Sequence, residues 1–142
     1  MDKVDLDMEV MLPHRKPMLL VSEVLTYNAH GLTALASIHD DNPLLELGQF
    51  PGHAALEMLA QASGLLLGLR CAGEVRPGAI VSVRDMQVHV ARLFPGDQMK
   101  IETNFLGGNE SAAMFKGAVM QGETPVLEAT LTLSQFPEGV MQ

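Results

Sequence analysis

Phe50-Pro51-Gly52-His53-Ala54-Ala55-Leu56-Glu57-Met58-Leu59-Ala60-Gln61-Ala62-Ser63-Gly64 decides the fold of this chain. Pro51 and Gly52 mark a turn, and Ala, Leu and Met then sustain a helix on good intrinsic propensity. The apolar run continues to Leu69 and meets its next charge at Arg70. A helix that is apolar nearly all round must be wrapped by other elements. His53, Glu57 and Gln61 interrupt it at spacing i, i+4, i+8, which on an ideal α-helix makes one polar line. A carboxylate inside such a helix is costly unless it is paired or used. A membrane-spanning helix needs about 20 apolar residues. This run is shorter and holds Glu57 and Gln61, so it reads as a buried core helix with no membrane insertion.

Outward from the helix, the patterns are those of strands. Residues 5–11 suit a short helix that ends before Pro13, and a proline-bounded bend follows. Residues 18–27 and 32–38 read as a hairpin across Asn28-Ala29-His30-Gly31. Residues 39–52 form a loop of acids, Pro, Gly and Asn. Beyond the helix, Gly73 is a stop signal. A long β-type run covers 79–93 and breaks at Pro95-Gly96-Asp97. In residues 98–106, Met99, Ile101, Thr103 and Phe105 alternate onto one face, the period of a half-buried strand. Gly107-Gly108-Asn109 marks a hairpin into residues 111–120, and residues 126–133 complete the set. Two strands, one long helix and about four more strands give an α+β architecture, a curved antiparallel sheet around a central helix. Ala60, Gly64 and Gly68 recur every four residues, a spacing that would bring the helix close to the sheet, and leftover apolar faces point to a dimer.

Composition narrows the function classes. The 142 residues suit one domain, 1–142, with room for a core. A net charge of −8 with scattered basic residues argues against nucleic acid, which needs clustered Lys and Arg. The single cysteine, Cys71, rules out an internal disulfide framework. No secretory signal pattern opens the chain, so cytoplasmic residence is expected. No His pair has close helical spacing and no His-Glu-x-x-His occurs, so no metal is expected.

Several stretches resemble the 3-hydroxyacyl-acyl carrier protein dehydratases of fatty-acid synthesis. They are Leu12-Pro13-His14-Arg15-Lys16-Pro17-Met18-Leu19-Leu20-Val21, Phe50-Pro51-Gly52 with Leu56-Glu57-Met58-Leu59-Ala60-Gln61-Ala62, Phe94-Pro95-Gly96-Asp97-Gln98-Met99, Phe115-Lys116-Gly117-Ala118 and Leu127-Glu128-Ala129-Thr130. The matches fall in order along nearly the whole chain. The resemblance implies the hotdog fold, a dimer or multiple of dimers with active sites at the interface, and dehydration to a trans-2-enoyl thioester without a cofactor. The substrate would be an acyl thioester on acyl carrier protein or coenzyme A. Carried over residue by residue, Glu57 falls on the helix carboxylate that transfers protons. Gly52 falls on the Pro51-Gly52 turn whose N–H polarises the thioester carbonyl. From its place on the polar line, Gln61 either orients Glu57 or satisfies a buried polar group.

One departure matters. The family's catalytic His lies in a Gly-His-Phe-Pro-Gly stretch, and here Gly48-Gln49-Phe50-Pro51-Gly52 puts Gln49 in its place. A short-loop subgroup of predicted dehydratases, some associated with aryl-polyene pathways, shares this look. His53, one turn before Glu57, is the substitute second acid–base group, while His39 lies in the loop and His14, His30 and His89 read as structural or turn residues. The expected site is therefore Glu57 and His53 as catalytic residues, with Gly52, Gln61 and Pro51 against the substrate. Two other readings remain: a hotdog thioesterase, in which one carboxylate activates water, and a non-catalytic acyl-binding subunit that completes a partner's site. A hetero-oligomer with a second dehydratase subunit belongs with the last.

Overall fold

The computed structural model describes residues 19–70, 78–108 and 111–135. The expected helix over 5–11, the proline-bounded bend, His14, Cys71 and the Gly73 stop lie outside the described residues. Strands β1 (Val21–Tyr27) and β2 (Gly31–Ser37) form the expected hairpin. Asn28 makes the turn: its Oδ1 accepts hydrogen bonds from the N–H groups of His30 at 2.8 Å and Gly31 at 2.9 Å. After the loop come β3 (Phe50–Pro51), a 3₁₀ turn (Gly52–Ala55) and helix α1 (Leu56–Arg70). Then follow β4 (Gly78–Val88), β5 (Arg92–Leu93), β6 (Gln98–Gly108), β7 (Ala112–Gln121) and β8 (Thr124–Gln135).

Six strands make one antiparallel sheet in the order β1-β2-β6-β7-β8-β4, and α1 lies across it, packing most closely on β6 and then on β2 and β7. Period-2 burial sets the inner face. Leu32, Ala34 and Ala36 of β2 and Met99, Ile101 and Thr103 of β6 point at the helix, as the alternation in the sequence predicts. From α1, Met58, Leu59, Ala62, Leu65 and Leu66 are completely buried against them. The one buried polar pair between helix and β6, Ser63 Oγ and Thr103 Oγ1, is satisfied internally at 2.7 Å. At the far end of α1, Arg70 stacks over the Phe105 ring at 3.6 Å and donates to the Ala29 carbonyl.

Two expectations change. The run over 79–93 is not one strand: β4 stops at Val88, and β5 leaves the large sheet to pair with β3, Phe50 opposite Leu93 and Pro51 opposite Arg92. Within β4, Asp85 takes a left-handed backbone (φ 53°) where the register with β8 slips between Arg84 and Gln87. The close approach of helix to sheet is also made elsewhere. Of the three small residues only Gly68 is buried, Ala60 and Gly64 being half-buried, and Leu59 of α1 lies directly over Gly117 of β7. A Cβ at 117 would overlap the Leu59 Cδ1 and the Glu102 carbonyl oxygen, so the small residue that seats the helix belongs to the sheet. Gly117→Ala should therefore lower stability by about 1–3 kcal/mol in urea unfolding, the usual range for overpacking. An unchanged unfolding midpoint would contradict this seating.

Candidate active site

The polar line of the helix resolves into two unequal parts. Gln61 is sealed from solvent, at 0% exposure. Its Oε1 accepts from the backbone N–H groups of Leu20 at 2.9 Å and Val21 at 3.1 Å, where β1 begins. Two N–H donors fix which end of the amide faces the strand, so Nε2 is turned towards Glu57 and lies 3.4 Å from its Oε1. Glu57 is half-buried on the first turn of α1, where the helix dipole favours a negative charge. A half-buried carboxylate held from the protein side is suited to passing a proton to or from something on its open side.

His53 is placed differently from the expectation. It lies on the 3₁₀ turn, exposed, rather than one α-helical turn below Glu57. A 3₁₀ turn advances about 120° per residue against about 100° in an α-helix, which rotates His53 away from the i, i+4 line. The signal for this was only Pro51-Gly52, which marks a helix start without giving its first hydrogen-bond pattern.

The Gly52 expectation needs a correction. The Gly52 N–H donates to the Ala91 carbonyl at 2.8 Å, so an acceptor within the chain already occupies the donor expected to polarise a thioester. A Cβ at 52 would overlap the Val90 carbonyl group. Glycine at 52 is thus required by the close packing of the β5 approach. Pro51, half-buried, belongs to the same β3–β5 ladder and anchors the start of the helix. Gln61, also expected against the substrate, has its amide buried and engaged at both ends by the protein.

The remaining candidates sit in turns and at the surface. His39 is exposed where the loop begins, and His30 sits in the Asn28 turn. His89 pairs with Glu128, Nε2 to Oε2 at 2.8 Å, as a surface contact. Gln49, in the place of the family His, closes a tight turn: the N–H of Glu46 reaches its carbonyl at 2.7 Å and its own N–H returns to the Glu46 carbonyl at 3.0 Å. Leu47 and Gly48 at the tip are left-handed (φ 53° and 77°). Sequence reasoning missed this turn; only Gly48 hints at it. Among the described residues no group of three or more His, Cys, Asp or Glu could hold a metal, and no helix is long and apolar enough to cross a membrane.

Among the described residues, one buried helix across a six-stranded antiparallel sheet defines the hotdog fold. Residues 6–141 match the family described as ApeP-like, ApeP dehydratase, and the chain belongs to that family. It is 35% identical over 137 residues to the 3-hydroxyacyl-[acyl-carrier-protein] dehydratase FabZ of Sodalis glossinidius, covering 90% of this chain and 89% of that one. Among solved structures, the dehydratase heterocomplex ApeI:P from Xenorhabdus doucetiae superposes with a TM-score of 0.85 at 24% identity, over 95% of this chain and 94% of that one. A hypothetical thioesterase from Streptococcus pneumoniae, solved with coenzyme A, shares the fold more loosely, with a TM-score of 0.59 at 14% identity over 80% and 84% of the chains.

Gly52→Ala should detach β5 from the turn and lower the thermal midpoint by roughly 3–10 °C, the shift that about 1–3 kcal/mol gives in a domain of this size. A wild-type midpoint would show that the contact with Val90 and Ala91 does not hold the helix start.

Proposed function

We propose that this chain dehydrates 3-hydroxyacyl thioesters, carried on acyl carrier protein, to trans-2-enoyl thioesters, with Glu57 as its proton-transfer residue. The observation that carries the reading is the Glu57 carboxylate, half-buried on the first turn of a core helix and held from behind by Gln61. Membership of the ApeP-like dehydratase family and the similarity to FabZ supply the reaction class.

Elimination breaks the Cα–H and Cβ–O bonds and forms the Cα–Cβ double bond, and the hydroxyl leaves as water once protonated. Two proton movements are needed, one from Cα and one to the leaving oxygen. Glu57 carries one of them. His53 is the chain's own candidate for the other, on the exposed turn that precedes the helix. With the Gly52 N–H occupied, the positive end of the α1 dipole is the field left to stabilise charge developing on the thioester oxygen.

A second chain completes this reading. Val81, Met86 and Val88 are exposed on β4, an outer strand of the sheet, and an unpaired strand edge carrying apolar side chains is a surface for pairing. The partner is a second copy or a second dehydratase subunit. The similarity to one chain of a dehydratase heterocomplex supports the latter, as does Gln49 in the place of the family His. Such a protein would work in the cytoplasm.

The test follows 3-hydroxybutyryl and crotonyl thioesters on acyl carrier protein, reading enoyl absorbance and free thiol together, with and without a second dehydratase subunit. Interconversion that Glu57→Gln lowers by about 10²–10⁴-fold supports the dehydratase. Thiol release without interconversion would replace this reading with the thioesterase. Activity only with the added subunit, lost in Glu57→Gln, would show that the site is shared; if Glu57→Gln leaves that activity intact, this chain is an acyl-binding partner. His53→Ala should lower the rate at least tenfold, and full retained activity would remove His53 from the mechanism.

A further inference from the structure

We infer that Gln61 is a positioning residue: it ties the start of β1 to the Glu57 carboxylate and holds that carboxylate in its working orientation. The inference rests on the reading of Glu57 as the proton-transfer group. Three features of the geometry carry it. Gln61 is completely buried, its Oε1 receives two backbone N–H groups from Leu20 and Val21, and its Nε2 faces Glu57. Neither end of the amide can be exchanged for the other. A flipped amide would turn its NH₂ towards two N–H donors and its carbonyl towards a carboxylate, leaving four groups mismatched in a buried setting.

The consequence is a fixed chain of contacts over a sequence separation of 41 residues, from Leu20 through Gln61 to Glu57. Leu20 and Val21 are themselves buried, so their N–H groups provide a rigid reference. A donor from the protein side leaves the carboxylate fewer orientations and keeps it in place before substrate arrives. A displacement of about 1 Å at a reacting group can cost about 10²-fold in rate, so a side chain that never touches substrate can control turnover.

Gln61→Glu separates the two halves of this role. At alkaline pH, where both carboxylates are ionised, Glu at 61 still accepts from Leu20 and Val21 but presents an acceptor, not a donor, to Glu57, so the rates are read there. The variant should keep hydrogen-exchange protection at the Leu20 and Val21 amides. Its kcat should fall about 10–100-fold while KM stays within about threefold of wild type. Wild-type kcat in this variant, or a rise in KM alone, would overturn the inference. A second measurement does not depend on that variant folding. In the folded Glu57→Ala protein, the side-chain NH₂ resonances of Gln61 should move in a ¹⁵N spectrum while the Leu20 and Val21 amides stay put; unmoved NH₂ resonances would equally overturn it. An inactive wild type, alone and with a partner subunit, would instead count against the dehydratase reading.

Discussion

The structure depends on one constraint: α1 cannot face water. Met58, Leu59, Ala62, Leu65 and Leu66 are all at 0% exposure, and each of the larger side chains contributes roughly 2 kcal/mol through its removal from water. No single strand covers such a helix, so the chain supplies a broad sheet. The helix touches β1, β2, β6, β7 and β8, and only β4 among the six strands stays clear of close packing with it. Contact that wide needs a flat seat at the centre, which Gly117 provides beneath Leu59. The polar groups that the helix brings inside are then obliged to find partners. Ser63 finds Thr103, and Gln61 finds the start of β1.

The same constraint places the chemistry. Most of the helix is buried, and on its first turn Glu57 sits half in the protein and half out. Three devices hold the turn in position: the β3–β5 ladder, the Gly52 contact with Ala91, and the Gln61 amide behind the carboxylate. They come from chain segments far apart in sequence, which makes the start of α1 a junction rather than a loose end. The ladder also explains why Pro51 and Gly52 matter, since both serve the backbone that carries Glu57.

Much of this was legible in the sequence because it is periodic or local. The alternation of Met99, Ile101 and Thr103 gave β6 its inner face, and Asn28 with Gly31 gave the first hairpin. The helix over 56–70 and its buried character followed from its apolar run. What stayed hidden depends on geometry that a one-dimensional pattern does not carry. A 3₁₀ turn and an α-helical turn differ by one residue in their hydrogen bonding, and that difference moved His53 off the line with Glu57. The sequence offered Gln61 as an orienting residue for Glu57 but not its backbone partners 40 residues away at the start of β1. The Gly52 donor looked free because nothing in residues 89–93 announces a two-residue strand aimed at it. Glu57 does lie on the first turn of the helix, but a family resemblance does not carry which backbone donors this chain has already committed.

The central claim is that the Glu57 carboxylate moves a proton during reversible dehydration. Crotonyl thioester on acyl carrier protein, incubated in D₂O with the protein and its partner subunit, tests it by mass spectrometry. Each hydration places one solvent deuterium on Cα of the 3-hydroxyacyl product. The account predicts deuterium incorporation that tracks enzyme concentration in the wild type and falls to the uncatalysed background in Glu57→Gln. Incorporation by folded Glu57→Gln at the wild-type rate would contradict it.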